Sequence, residues 1–144
     1  MNTLPRLVFL IAAQRTGTNV FGRLLDDSGV FDHYGEVFDP NKIHGKFMSF
    51  FHYLNSDDTA RDLYCLPNEA NIRELFDRWL RDFLSMGTRP YALFDLKQNA
   101  LHRFNALSQS PSEAPFLIRM AREKGIPIIR ITRRNLFEQA VSWE

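Results

Sequence analysis

The first apolar run of the chain, residues 7–13, has no polar interruption and leads through a short polar turn into a segment with a different period. An uninterrupted apolar run predicts a strand buried on both faces, as in the middle of a mainly parallel sheet. After the turn, apolar residues recur at helical spacing, at Val20, Phe21, Leu24 and Leu25. Gly29 stands where such a helix would end. The chain therefore begins with a central strand, a turn and a helix.

Four later segments have a clear period. Residues 72–84 follow the pattern of an amphipathic helix, and residues 91–97 predict a strand. Residues 112–124 predict another helix, which leads into a strand over 126–132 rich in β-branched residues. Between the first helix and residue 66 the periodicity is poor, and we expect long loops with short helical pieces there. Strands that alternate with helices predict an α/β fold with a central parallel sheet flanked by helices.

The length and composition fit one domain over residues 1–144. The charged residues nearly cancel, 18 Lys and Arg against 17 Asp and Glu, so no global field would attract nucleic acid or an anionic membrane. The first apolar run is too short to span a bilayer. Cys65 is the single cysteine, which excludes an internal disulfide and argues against a zinc site. These features favour a reducing, cytoplasmic location.

The turn "QRTGT" has the properties of an anion site. Where a strand leads directly into a helix, the first backbone N–H groups of the helix have no partner within it, and they lie at the positive end of the helix dipole. Gly17 allows close backbone approach, and Thr16 and Thr18 offer hydroxyls. Arg15 adds a permanent cation, and Thr18 or Asn19 can cap the first amides. The turn alone predicts an anion cradle and a plain connection about equally well, and it matches neither GxxxxGK(S/T) nor GxGxxG.

A second polar motif follows the last predicted strand. Arg134 stands at the strand end, and Ser142 lies eight positions later on a predicted helix. This offset covers a turn and about one and a half helical turns, so both side chains could reach one phosphate. The alternative is that Arg133 and Arg134 are solvated and that Ser142 is an ordinary helix hydroxyl.

Together the two segments resemble the sulfotransferase superfamily, whose members transfer a sulfuryl group from 3′-phosphoadenosine 5′-phosphosulfate (PAPS). The family's 5′-phosphosulfate loop has a basic residue, Ser or Thr, Gly and Thr after the first strand, and residues 15–18 are similar to it. Its 3′-phosphate motif is an Arg with a Ser eight residues later, similar to Arg134 and Ser142. Arg15, in place of the Lys of cytosolic members, and "QAVSW" look most like bacterial carbohydrate sulfotransferases of the trehalose sulfotransferase type.

The resemblance implies a P-loop-like sulfotransferase fold, PAPS as donor co-substrate and no metal. Thr16, Gly17, Thr18 and Asn19 would hold the 5′-phosphosulfate together with Arg15. Arg15 would also act in catalysis, by stabilising the charge that develops on the departing phosphate. Arg134 and Ser142 would hold the 3′-phosphate.

The acceptor hydroxyl needs a base, and Glu36 stands where similar carbohydrate members carry a Gly-Glu considered the general base. Such a role requires partial burial, which Phe38 and residues 47–54 could supply; the alternative is a surface loop residue. His33 is the alternative base, although a lone loop histidine is more often structural. Lys97 ends a strand, where polar residues face the ligand crevice, and it resembles a family Lys; a solvated strand end is equally expected.

The helical pattern after Arg134 reaches Glu144 without a C-cap, which predicts that the chain is the N-terminal portion of a longer domain. The function expected first is sulfuryl transfer from PAPS to a hydroxyl of a carbohydrate or glycolipid. The second is a nucleotide-binding module without turnover. The third is an ATP-using kinase, which the missing Lys after Gly17 disfavours. The sequence has no readable code for the acceptor or the oligomeric state.

Overall fold

A computed structural model of the protein describes residues 6–13, 16–41, 49–56, 68–97, 100, 101, 104 and 112–132. Within these ranges the chain forms four strands and four helices. In chain order they are β1 (Arg6–Ala12), α1 (Thr18–Asp27), β2 (Phe31–Gly35), α2 (Phe50–Ser56), α3 (Glu69–Ser85), β3 (Tyr91–Lys97), α4 (Phe116–Glu123) and β4 (Ile128–Ile131).

The four strands form one parallel sheet in the order β2-β3-β1-β4. The prediction of an α/β fold with a central parallel sheet and a central first strand is confirmed. In the register of the sheet, Ala12 at the end of β1 lies between Lys97 of β3 and Ile131 of β4. Because parallel strands end at the same edge, the residues that follow β1, β2 and β3 are neighbours there.

The two faces of the sheet carry cores of different size. On one face, α2, α3 and α4 cover a large core that includes Phe9, Phe94 and Leu96. Phe38 lies at its centre, with ring centroids about 6 Å from five other aromatic rings: Phe50, Phe76, Trp79, Phe94 and Phe104. On the other face, α1 covers a smaller core, built on Val8, Leu10 and Leu93. Strand alternation produces this division, because successive side chains of β1 and β3 point to opposite faces.

The prediction for residues 31–66 was incomplete. Residues 31–35, which we expected to lie in a loop, form β2 and pair with β3. Four of the five residues of "FDHYG" are only partly buried, so this strand does not require an apolar run. Its sequence therefore gives no periodic strand signal. The helix predicted over 112–124 begins only at Phe116, after Pro115, and the strand predicted over 126–132 is limited to β4. The helix predicted over 72–84 and the strand over 91–97 are confirmed.

An ionic cluster joins β2 to the residues before β3, at the opposite end of the sheet from the predicted site. The Asp32 carboxylate accepts hydrogen bonds from the backbone N–H groups of Thr88 (2.8 Å) and Arg89 (3.0 Å) and from the Tyr34 hydroxyl (3.4 Å). The pKa of Tyr34 is raised to about 12, first by burial and then by the Asp32 charge and hydrogen bond.

This pKa predicts a loss of stability in alkali. The unfolded chain releases the Tyr34 proton above about pH 10, whereas the folded chain keeps it until about pH 12, so the stabilisation is complete below pH 10 and is lost between these values. Urea unfolding should show the stability advantage of the native chain over Tyr34→Phe shrinking by about 1 kcal/mol between pH 9 and pH 11. An advantage that stays constant over this range would contradict the raised pKa.

Candidate functional site

The helix α1 follows a glycine, which has no side chain that could cap the first amides. Gly17 is the N-cap residue and has left-handed backbone geometry, with φ of 83°, and its carbonyl accepts from the N–H groups of Val20 and Phe21. The prediction that Thr18 or Asn19 caps the helix is wrong, because the N-cap residue is Gly17 and Thr18 is already the first helical residue. Among the residues that the structure describes, no atom lies within 4 Å of the point where a Cβ at Gly17 would stand. This geometry suits an anion.

The two threonines beside Gly17 have different surroundings. The Thr16 hydroxyl donates to the carbonyl of Ala13 at 2.8 Å, and the residue is half-buried. Thr18 is buried, and its Oγ1 accepts a hydrogen bond from Lys97 Nζ. A lysine ammonium has donors only, so this bond leaves the Thr18 hydroxyl proton free to donate to another acceptor.

The Lys97 side chain contacts residues at the carboxyl ends of three strands. Its side chain is 6% exposed, and its Nζ lies 4.0 Å from Glu36 Oε1 and 3.9 Å from Asp95 Oδ2. Glu36 follows directly after β2, Thr18 follows the turn after β1, and Lys97 ends β3. The alternative that Lys97 is a solvated strand end is therefore wrong, because its side chain is buried. One buried cation lies between two carboxylates at the start of α1, in an environment where charges interact more strongly than in water.

His33 contacts this group through Asp95. His33 Nε2 lies 3.1 Å from Asp95 Oδ1, and the Asp95 side chain is fully buried. The His33 ring lies directly over Gly22 of α1, where a Cβ would overlap the ring. The helix can approach β2 this closely only because residue 22 has no side chain.

Sequence reasoning missed Asp95 and Gly22. Asp95 had a readable signal, because aspartate is depleted in strands and this one interrupts the apolar "YALF-L" pattern two residues before Lys97, on the same face. Gly22 had a weaker signal, a glycine inside a helical pattern.

The structure brings three of the predicted site residues into one group, Thr18, Glu36 and Lys97, and connects His33 to that group through Asp95. Thr16 and Gly17 form the adjoining turn, and Asn19 is exposed on the first turn of α1. The remaining predicted residues lie outside the described ranges: Arg15, Arg134 and Ser142.

Fold and site together define a parallel α/β protein with a group of polar and charged side chains at the carboxyl edge of its sheet, and open α/β sheets bind ligands at that edge. Comparisons with protein-family models, curated proteins and solved structures found no match. Among the described residues, no helix is long and apolar enough to cross a membrane.

Proposed function

We propose that the chain binds PAPS at the carboxyl edge of its sheet and transfers the sulfuryl group to a hydroxyl of a carbohydrate or glycolipid. One observation carries the proposal. The Lys97 ammonium donates to Thr18, the first residue of α1, and lies 4.0 Å from the Glu36 carboxylate. A cation, a helix N-terminus and a carboxylate in one place are the parts that transfer of an anionic group to a hydroxyl needs.

The described residues fit the 5′-phosphosulfate end of PAPS. The N-cap Gly17 has no side chain to cap the amides that follow it, and within the described ranges no atom lies where its Cβ would stand. Lys97 and the Thr18 hydroxyl would add a cation and a donor at the same point. Arg15 would belong to this half, and Arg134 and Ser142 would hold the 3′-phosphate, as the resemblance implies.

PAPS supplies an activated sulfuryl group whose leaving group is adenosine 3′,5′-bisphosphate. Glu36 would take the proton of the acceptor hydroxyl. At the same time the acceptor oxygen would bond to sulfur, and the bond between sulfur and the 5′-phosphate oxygen would break. Lys97 and Arg15 would stabilise the charge that develops on the departing phosphate. The residues contribute mainly position and charge, because the transferred group needs no covalent partner on the protein.

The charge of Glu36 allows a direct test. Glu36→Gln should lower kcat for transfer of labelled sulfate from PAPS to sugar acceptors by about 100-fold or more, since general bases contribute about 10²- to 10⁴-fold. Affinity for adenosine 3′,5′-bisphosphate should stay within about threefold, because no interaction with the nucleotide is removed.

Glu74→Gln is the matched control. Glu74 is exposed on α3, where it pairs only with Arg78 among the contacts described, and an exposed helix pair contributes little. Activity equal to the native chain in both variants would remove Glu36 as the base. Nucleotide binding without transfer by the native chain would support the binding module instead, and equal competition by ATP would support the kinase.

A further inference from the structure

Asp95 is a buried carboxylate in the middle of the α1 face of the sheet. The residue is 1% exposed, and its partner in register on β1 is the apolar Leu10. Its Oδ1 faces His33 Nε2, while Oδ2 has no hydrogen-bond partner among the residues the structure describes. Burying a carboxylate is costly, and replacing a whole buried ion pair by apolar residues often leaves a fold as stable or more stable. The fold alone therefore gives no reason for an aspartate at this position.

The two oxygens of Asp95 face different groups of the site. Oδ1 lies 3.1 Å from His33, whose ring is confined between Asp95 and Gly22. Oδ2 lies 3.9 Å from Lys97 Nζ. Since His33 fixes one oxygen, the other is held toward the Lys97 ammonium.

We propose that Asp95 is a positioning residue of the site, which holds the Lys97 ammonium against Thr18 and beside Glu36. The proposal rests on the proposed function for its catalytic consequence. Without Asp95, the flexible four-carbon stem of Lys97 can place its ammonium in other rotamers. With it, the ammonium stays on Thr18 Oγ1, and the Thr18 hydroxyl is thereby left as a donor toward an anion at the turn. The charge of Lys97 is in position before any ligand arrives, which is the condition for efficient electrostatic stabilisation.

Asp95→Asn tests this role, because asparagine has the same shape and keeps an oxygen that can accept from His33. The first measurement does not depend on turnover. In ¹⁵N-labelled protein, the exchange of the Lys97 ammonium protons with water should be slow in the native chain and at least tenfold faster in Asp95→Asn. Lys97→Arg assigns the signal by removing it. An exchange rate that Asp95→Asn leaves unchanged would overturn the proposal.

The second measurement is kcat per molecule that binds adenosine 3′,5′-bisphosphate, with KM for PAPS measured alongside. Asp95→Asn should lower this kcat about tenfold or more. If Asp95 had only a structural role, Asp95→Asn would lower the number of binding-competent molecules and leave their kcat unchanged. That result would contradict the proposal. Asp82→Asn, on the exposed surface of α3, is the matched control and should change neither quantity.

Two outcomes separate the proposals from each other. If the native chain transfers no sulfate, the proposed function fails, and the exchange rate of the Lys97 ammonium still decides the role of Asp95. If Asp95→Asn does not fold, Asp95→Ser, which is neutral and smaller, repeats the exchange measurement with the same expected acceleration and the same contrary outcome.

Discussion

Replacing Lys97 with methionine is expected to lower the free energy of unfolding by about 3–5 kcal/mol, because it leaves a buried carboxylate without its cation. The Lys97 and Asp95 side chains are 6% and 0% exposed, and their charged atoms are 3.9 Å apart. Methionine keeps most of the apolar stem, so the loss should come from charge and not from packing. Urea unfolding followed by circular dichroism measures the difference.

Adding Asp95→Asn to Lys97→Met should recover most of that stability, since neither charge then remains buried. Lys124→Met is the matched control. Lys124 lies on the surface and pairs with Asp77 at 2.8 Å, and loss of an exposed pair costs about 1 kcal/mol or less. A Lys97→Met chain as stable as the native protein would show that the ammonium and Asp95 do not interact as the geometry indicates.

Lys97→Met, together with its double variant, also tests the effect of Lys97 on ligand binding separately from its effect on stability. If the proposed function is correct, Lys97→Met weakens binding of adenosine 3′,5′-bisphosphate about 10- to 150-fold, the equivalent of one charge-assisted hydrogen bond of about 1.5–3 kcal/mol. The double variant with Asp95→Asn should be stable yet still bind weakly. Isothermal titration calorimetry at fixed ionic strength measures this affinity, and native-like binding by the stable double variant would exclude Lys97 from the nucleotide site.

The second large effect is expected at Gly22. Gly22→Ala places a Cβ inside the ring of His33, so the ring or α1 must move. Overpacking of this kind typically costs about 1–3 kcal/mol, more than the roughly 1 kcal/mol that alanine gains over glycine in a helix. Movement of the ring would also break its hydrogen bond to Asp95. Thermal and urea unfolding should therefore both show a destabilised variant.

A double-mutant cycle decides whether His33 is the cause. In a His33→Ala background the ring is absent, and Gly22→Ala should then be neutral or stabilising by up to about 1 kcal/mol. Leu24→Ala is the control on the same helix, because Leu24 is 63% exposed and its truncation should matter little. A Gly22→Ala cost that is the same in both backgrounds would mean that the strain lies elsewhere.

The predictions from sequence succeeded where the signal is local and failed where it depends on a neighbour. β1 and β3 were readable because a strand buried on both faces has an uninterrupted apolar run. The helix α3 was readable because burial of one face places its apolar residues at helical spacing. β2 was not readable, because four of its five residues are only partly buried and its pairing with β3 makes it a strand. The apolar residues Val20 and Leu24 fit the helical pattern of α1 but are exposed, so the pattern marked the helix without identifying its buried face.

The candidate site divides in the same way. The turn around Gly17 follows from sequence, because a buried strand, small polar residues and a helical period occur within one short stretch of the chain. The detailed geometry of that turn does not follow from sequence, because the choice of Gly17 as the N-cap and the different hydrogen bonds of Thr16 and Thr18 depend on contacts. Glu36 and Lys97 could be named as candidates, but their distance of 4.0 Å could not be derived from their positions in the chain.

By itself, the sequence determined an α/β fold, a central first strand and a glycine-containing turn into a helix after it, because each rests on residues adjacent in the chain. Only the tertiary structure decided which strands are neighbours. The order β2-β3-β1-β4 brings together groups 62 and 79 positions apart, His33 with Asp95 and Thr18 with Lys97. The interactions among these buried charges and donors extend over a few ångströms, so they form only after the parallel strands have aligned their carboxyl ends at one edge.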